Sequence, residues 1–220
     1  MLAGKTPGQM KSAAAMLVLL LAMLGCSRNP ETPPPTAVAV PLSAEMRLAA
    51  IQRGKTIVAE TFSLLSSNLQ SAIQISGVSN ALPFCSLAAT PLTAGLAAKH
   101  GVTIRRITHK ARNPADQADA AELLILKELA AALPAASATN PPPPLVTNVT
   151  AGTATFFAPI LLNNELCLKC HGEPGRDIAP EHLAVIQRLY PRDEATGFKL
   201  GELRGAWRID MPLAALIPVK

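Results

Sequence analysis

The chain has 220 residues, of which 49% are hydrophobic, 16% charged and 3% aromatic, so it is long enough to bury the core of one domain. A net charge of only +5 and so few aromatic residues argue against a nucleic-acid-binding surface. The sequence has no run of 18 apolar residues, which predicts a mature protein without a transmembrane helix.

The N-terminus resembles a bacterial export signal. Lys5 and Lys11 precede an uncharged, mostly apolar stretch over residues 13–24, as in a secretory signal peptide. Cys26, preceded by a glycine, resembles the cysteine of a lipobox, which becomes the lipidated first residue of the mature protein. We therefore predict a signal peptide over residues 1–25 and a periplasmic, membrane-anchored lipoprotein. The alternative is an ordinary secretory signal in which Cys26 is incidental.

A proline-rich segment and two helical patterns come next. Residues 26–44 contain five prolines and few large apolar groups, which predicts an extended tether. Apolar residues then recur at three- and four-residue steps, which predicts one long amphipathic helix over about residues 44–75. Gly54 would cost this helix roughly 1 kcal/mol against alanine and marks a weak point. A second helix is predicted over residues 79–100, interrupted by its two prolines and ended by Gly101.

The middle of the chain predicts a strand and a further helix. Residues 102–104 favour a short strand, which leads into a basic run. Asn113 is a good helix cap and Pro114 suits the first helical position, so a helix is predicted from there to about Leu133.

The last part of the chain changes to a strand-like period. Residues 145–150 and 153–160 alternate about an Ala-Gly pair and predict a β-hairpin. A helix is predicted over residues 179–190 and a final strand over residues 205–210. Together these elements predict an α+β domain over residues 45–220, with long N-terminal helices and a small antiparallel sheet.

The most specific motif is Cys-Leu-Lys-Cys-His at residues 167–171. Covalent haem c attachment needs two thiols spaced for the two vinyl groups and an adjacent histidine for the iron, and this pentapeptide supplies all three. A zinc site would need a second Cys-x-x-Cys pair, or would have to recruit distant Cys85. A thioredoxin-like dithiol would sit in a βαβ unit, and a plain disulfide would leave His171 unexplained. We therefore predict one covalent haem c, held by Cys167 and Cys170, with His171 as an iron ligand.

The residues alone leave the second iron ligand open, the candidates being Cys85, Met211, another methionine, a further histidine, a lysine side chain or no second ligand at all. Cys85 is the cysteine without another assignment, and it is either a thiolate ligand or a small buried hydrophobe. Met211 lies forty residues after His171, as a distal methionine in a cytochrome c would. The remaining histidines stand in polar company and are predicted to lie at the surface. They are His100, His109 and His182.

Five short blocks match, in order, those of one bacterial domain family. They are Ala81–Cys85, Arg106–Pro114, Cys167–Gly172, Tyr190–Phe198 and Gly201–Ala206. Over most of residues 45–220 the chain thereby resembles the PAS-like c-type haem sensor domains, long catalogued as a bacterial domain of unknown function. The resemblance implies a PAS-like antiparallel sheet, with His171 as the proximal and Cys85 as the distal iron ligand. It also makes Arg106 and Arg112 candidate partners of the haem propionates, although a solvated basic edge would look the same.

Two functions are compatible with these predictions. The first is a redox or diatomic-gas sensor, in which reduction, NO or CO displaces Cys85 and shifts the packing of the N-terminal helices. The second is a lipid-tethered periplasmic electron carrier. An enzyme is not predicted, because no distal acid–base pair stands out. A sensor of this kind is expected to pass its signal to a separate redox or signalling protein.

Overall fold

The structure, a computed structural model, describes residues 42–133, 143–150 and 152–217. The predicted signal peptide, Cys26 and nearly all of the predicted tether lie outside these residues. The elements in chain order are α1 (Ala44–His100), β1 (Thr103–Ile107), the 3-10 helix η1 (Pro114–Asp116), α2 (Ala120–Ala131), β2 (Leu145–Thr150), β3 (Thr153–Leu161), α3 (Glu165–His171), α4 (Pro180–Leu189), β4 (Leu203–Pro212) and the 3-10 helix η2 (Leu213–Leu216).

Helix α1 is a hairpin with two arms. Gly77 has φ 76° and ψ 169°, a combination that is essentially restricted to glycine. The imidazole Nε2 of His100 lies 2.9 Å from Glu60 Oε2, whereas forty residues of unbroken helix would separate them by about 60 Å. Gly77 therefore reverses the chain direction between a first arm (residues 44–76) and a second arm (residues 78–100).

Both arms were predicted, with one error. The first arm confirms the amphipathic helix over about residues 44–75, and Gly101 ends the second arm in the left-handed conformation as predicted. The prediction that Pro83 and Pro91 interrupt the second arm is wrong, because Gly77 is the residue with non-helical dihedrals inside α1. Each proline removes one backbone hydrogen bond, and Leu82, which directly precedes Pro83, packs with Ile178 and Ile186, a tertiary contact of the kind that stabilises helices in proteins.

By length and composition alone, α1 could cross a membrane. Core helices of soluble proteins can be equally long and apolar. The sequence predicts no transmembrane helix, because it has no run of 18 apolar residues. The two statements differ because α1 is apolar on average but has polar residues interspersed along it.

The sheet has the strand order β1-β4-β3-β2, and every neighbouring pair is antiparallel. Strands β2 and β3 form the predicted hairpin, and Gly152 between them has a positive φ of 79°. The predicted last strand lies within β4, which pairs with both β1 and β3. The α+β class is thereby confirmed.

The predicted helix from Asn113 to Leu133 is wrong at its start. Asn113 caps only η1, and its side chain accepts a hydrogen bond from Ala115 N. Helix α2 begins at Ala120, where the preceding residue Asp119 forms a capping box with the third helical residue. The backbone between η1 and α2 instead bonds to Thr108, through Thr108 N to Asp116 O and Ala118 N to Thr108 O, both 2.9 Å. This pairing keeps the segment extended and delays the helix.

The sheet is covered on both faces. Phe156 and Phe157 are adjacent in β3, so their side chains point to opposite faces. Phe156 packs with Ala50 and Ile57 of α1, and Phe157 packs with Leu126 of α2 and other buried residues. The core therefore consists of two apolar layers, one under each helix.

Gly54 marks the closest approach of α1 to the sheet. A Cβ built on Gly54 would lie 2.5 Å from Cγ of Phe156. The expectation of a weak point in the helix is therefore replaced by a packing requirement. We expect Gly54→Ala to lower the free energy of unfolding by about 1–3 kcal/mol, the usual cost of overpacking a core. Urea unfolding measures this value.

Gly95, in the second arm, provides the matched control. A Cβ at Gly95 would meet no atom within 4 Å. We expect Gly95→Ala to leave stability unchanged or to raise it by up to about 1 kcal/mol, because alanine has the higher helix propensity. Equal effects of the two substitutions would contradict the assigned contact between Gly54 and Phe156.

Candidate functional site

Helix α3 carries the Cys-x-x-Cys-His motif, which the sequence analysis had not assigned to a helix. Its N-cap is Asn164, whose side chain accepts a hydrogen bond from Leu166 N at 2.8 Å. Cys167 and Cys170 are three residues apart and therefore share one side of the helix. Both are free thiols. Burial raises the pKa of Cys167 and raises that of Cys170 to about 11, so both are protonated at neutral pH.

The imidazole of His171 is held in one tautomer. Its Nδ1 lies 2.8 Å from the carbonyl oxygen of Ala195. A carbonyl can only accept, so Nδ1 carries the proton and Nε2 keeps a free lone pair. Burial, together with the charges of Arg204 and Arg112, holds the pKa of His171 well below its ordinary value. A neutral imidazole with one nitrogen oriented by a backbone carbonyl is the form that binds a metal.

The second arm of α1 brings Cys85 to this site. Leu82, one turn before Cys85, packs with Ile178 and Ile186 in the cluster that Cys170 contacts. A negative charge on Cys85 would raise the pKa of Cys170, so the two thiols are close enough to interact electrostatically. Cys85 and Cys170, which are 85 positions apart in the sequence, are therefore neighbours in the fold.

The thiol of Cys85 is protonated in this environment. Burial raises the pKa of Cys85, whereas the positive charges of Arg106 and Arg112 lower it. Burial is the larger of the two effects, so the pKa of Cys85 lies above its ordinary value. A thiolate at this position would therefore need a further positive partner.

The segment over residues 190–198, called here the 190–198 loop, wraps around the end of α3. Phe198 N donates to His171 O at 2.9 Å, and Gly197 N donates to Gly172 O at 2.8 Å. The carbonyl of Ala195 in the same loop accepts from the His171 ring. The loop therefore fixes both the backbone and the side chain of His171.

Arg112 ties this loop to α3. Its guanidinium binds both carboxylate oxygens of Asp193, at 3.0 and 3.1 Å, and donates to Cys170 O at 2.6 Å. The two side chains are only 11% and 7% exposed. Arg112, predicted as a propionate partner, is thus placed beside the motif, with a carboxylate already bound to it.

Arg106 also lies near the site. It forms an ion pair with Asp116 at 3.1 Å, and its side chain is 43% exposed. Its charge lowers the pKa of both Cys85 and His171. Its assignment as a propionate partner stays a prediction, as does that of Arg112.

Two residues that surround His171 were not among the site residues predicted from the sequence. Arg204 of β4 donates through Nη1 to Thr108 Oγ1 at 2.7 Å, and its guanidinium carbon lies 5.3 Å from the centre of the Phe198 ring. The Phe198 ring also meets His171 edge-on at 6.4 Å. Both residues occur in matched sequence blocks, but nothing in the one-dimensional pattern distinguishes them from structural residues.

The other candidate iron ligands lie in different surroundings. Met211 is buried with Ala50 and Ile57 in the layer under α1, whereas Cys167 and Cys170 belong to other clusters. His100 is bound to Glu60 and is half-buried, which corrects its expected surface position.

The two remaining histidines differ. His109 is exposed, as predicted, and its ring meets Phe198 edge-on at 5.9 Å. His182 of α4 is half-buried instead of exposed, and its Nδ1 has no hydrogen-bond partner among the described residues. The expectation that His182 lies at the surface is therefore wrong, because α4 turns its apolar side, and His182 with it, partly inward.

Among the described residues, no group of three or more His, Cys, Asp or Glu side chains is arranged to hold a metal ion. Haem iron takes four nitrogens from the porphyrin and needs one or two ligands from the protein. Two free thiols on one side of a helix, followed by a histidine whose Nε2 lone pair is available, match that requirement.

The chain is similar to one protein family and to one solved structure, and both carry the name Tll0287. The family model described as Tll0287-like (Tll0287) matches residues 38–212. The crystal structure of the cyanobacterial heme-protein Tll0287 is 23% identical to the chain, covers 70% of it and 94% of its own length, and has a TM-score of 0.47. No curated protein matches the chain in sequence.

Proposed function

The chain belongs to the Tll0287-like family, and from this premise we propose that it is a haem protein with one covalently attached haem c. Tll0287, whose name the family bears, is a cyanobacterial haem protein. The observation that carries the proposal is the hydrogen bond from His171 Nδ1 to Ala195 O, which leaves Nε2 for iron directly after two free thiols. The finer proposal that the sheet is PAS-like rests on the resemblance of the five sequence blocks.

Four residues would hold the group. Cys167 and Cys170 would form the thioether bonds, with His171 as the proximal ligand and Cys85 as the distal ligand. The charges of Arg106 and Arg112 favour an anionic sulfur on Cys85. When bound, haem would supply a one-electron redox centre and a site for diatomic ligands such as NO or CO.

We propose a redox- or gas-responsive sensor as the function, with an electron carrier as the alternative. Two observations on Cys85 favour sensing. Burial favours its neutral thiol over its thiolate, so the ligand is released readily when its charge is no longer compensated. Cys85 also lies on the second arm of α1, while the first arm packs on the sheet. Release of Cys85 would remove one of the contacts that hold the second arm, beside the packing of Leu82 on α4, and a shift of this arm could be detected by a signalling or redox protein partner.

Carbon monoxide distinguishes the two functions. We expect CO to change the visible spectrum of the dithionite-reduced wild-type protein, because a released Cys85 leaves a ligand position open. An electron carrier keeps both ligands in both oxidation states, so its spectrum would not change at saturating CO. The ferric protein is the control, since CO does not bind ferric haem.

We also propose export and lipid anchoring in the periplasm. This proposal rests on the charged, apolar and cysteine-containing pattern of residues 1–26. Bacteria attach haem c outside the cytoplasm, so the location agrees with the proposed cofactor. Nucleic acid is not a proposed partner, since the mature chain would carry a net charge of only +3 after loss of two lysines with residues 1–25.

A further inference from the structure

Three guanidinium groups lie close enough to His171, in the proposed haem site, for their charges to lower its pKa. Arg106, Arg112 and Arg204 each act on the pKa of His171, and the charges of the first two lower the pKa of the third. The carboxylates that offset this positive charge at Arg204 are Asp116 and Asp193. Each of them is in contact with a different arginine, Asp116 with Arg106 and Asp193 with Arg112. Within the described ranges of the chain, these two ion pairs leave Arg204 without a carboxylate partner.

Of these three arginines, Arg204 is the one that contacts no carboxylate among the residues that the structure describes. Its Nη1 donates to Thr108 Oγ1 at 2.7 Å and to Lys110 O at 3.1 Å. Its Nε and Nη2 make no hydrogen bond to the described part of the chain. Two adjacent donors of this kind match the two oxygens of a carboxylate.

The position of Arg204 is fixed by its surroundings. Its guanidinium carbon lies 5.3 Å from the centre of the Phe198 ring, and Phe198 contacts His171. Burial and the neighbouring guanidiniums lower its pKa to about 10, so it remains charged at neutral pH. Arg204 is half-buried, and partial removal of a cation from water is costly when no anion lies beside it. An anion supplied by a bound group would offset that cost.

We propose that Arg204 binds a propionate carboxylate of the haem through Nε and Nη2. This inference rests on the proposed function and goes beyond it. Arg106 and Arg112 were the candidates from the sequence, and the structure gives each of them a carboxylate of the protein instead. Arg204 is then the residue that orients the cofactor edge, while the other two arginines hold the protein segments around it.

Resonance Raman spectroscopy of the haem-loaded protein tests this proposal, because the propionate bending band reports hydrogen bonds to that carboxylate. We expect Arg204→Gln to shift this band and Arg204→Lys to shift it less, since lysine keeps the charge but loses the two-donor geometry. The control is Arg188→Gln, which removes the same charge from an exposed residue of α4 and is expected to leave the band unchanged. The midpoint potential of Arg204→Gln should also fall, because loss of a nearby positive charge favours the ferric state.

The outcomes separate this inference from the proposed function. Attached haem with an unchanged propionate band in both Arg204 variants would overturn the role of Arg204 alone. A band that shifts in Arg106→Gln and stays unchanged in Arg204→Gln would overturn it as well and assign the propionate to Arg106. A wild-type protein without attached haem, detected by intact mass, would overturn both the proposed function and this inference.

Discussion

Replacing Cys85 by alanine is expected to change the ferric spectrum from low-spin to high-spin and to raise the midpoint potential. A thiolate donates charge to ferric iron and stabilises that state, so its loss favours reduction. We expect an upward shift on the order of 100 mV, within the roughly 0.8 V range over which axial ligands set haem potentials. Absorption spectroscopy and a redox titration of the haem-loaded protein measure both effects.

Met211→Leu is the control for this experiment. Met211 is fully buried under α1, and a swap to leucine conserves volume there. We expect the spectrum and the midpoint potential of this variant to match those of the wild type. An unchanged spectrum in Cys85→Ala together with a changed one in Met211→Leu would place Met211 at the iron and favour the electron carrier.

Asp193→Asn is expected to cause the largest loss of stability. The substitution leaves Arg112 without its carboxylate partner, and both side chains are buried. Breaking a buried ion pair in this way costs about 3–5 kcal/mol, because one charge is left uncompensated. Since Arg112 also donates to Cys170 O, the end of α3 should loosen at the same time. Urea unfolding with haem attached measures the loss.

Glu60→Gln provides the comparison. Glu60 pairs with Lys99 at 2.8 Å, but this pair lies at the surface, with Lys99 62% exposed. An exposed pair contributes little, so the change in unfolding free energy should be far smaller than for Asp193→Asn. Equal effects of the two substitutions would show that the bond between Arg112 and Asp193 does not hold the loop and α3 together.

The local patterns of the sequence predicted most of the fold. Helical periodicity, the Ala-Gly pair of the β2–β3 hairpin and the strand-like C-terminal run each depend on neighbours in the sequence. Contacts between distant residues could not be predicted this way. Gly77 reverses α1, Gly54 admits the Phe156 ring, and Thr108 holds the segment before α2 extended. Phe156 lies about a hundred residues from Gly54, and the partners of Thr108 lie eight and ten residues away, so neither contact follows from a local helical or strand period.

The same division applies to the site. The thiols and His171 form one local motif, so their spacing was sufficient to predict haem c. Cys85 lies 82 residues before Cys167, so the residues alone left it as one of several candidate ligands, and the family resemblance selected it. Arg204 could not be predicted, because its distinguishing property is that no carboxylate of the described residues contacts it, and only the three-dimensional structure shows that.

Covalent attachment of haem through Cys167 and Cys170 is the central claim, and intact mass spectrometry tests it most directly. The mature protein, produced in bacteria with haem c maturation, is denatured and extracted with acid acetone, which removes non-covalent haem. We predict that the wild-type protein keeps the mass of one haem, and that the Cys167→Ser/Cys170→Ser double variant keeps none. A wild-type mass equal to that of the polypeptide alone would contradict the account and return the two cysteines to a disulfide or metal-binding role.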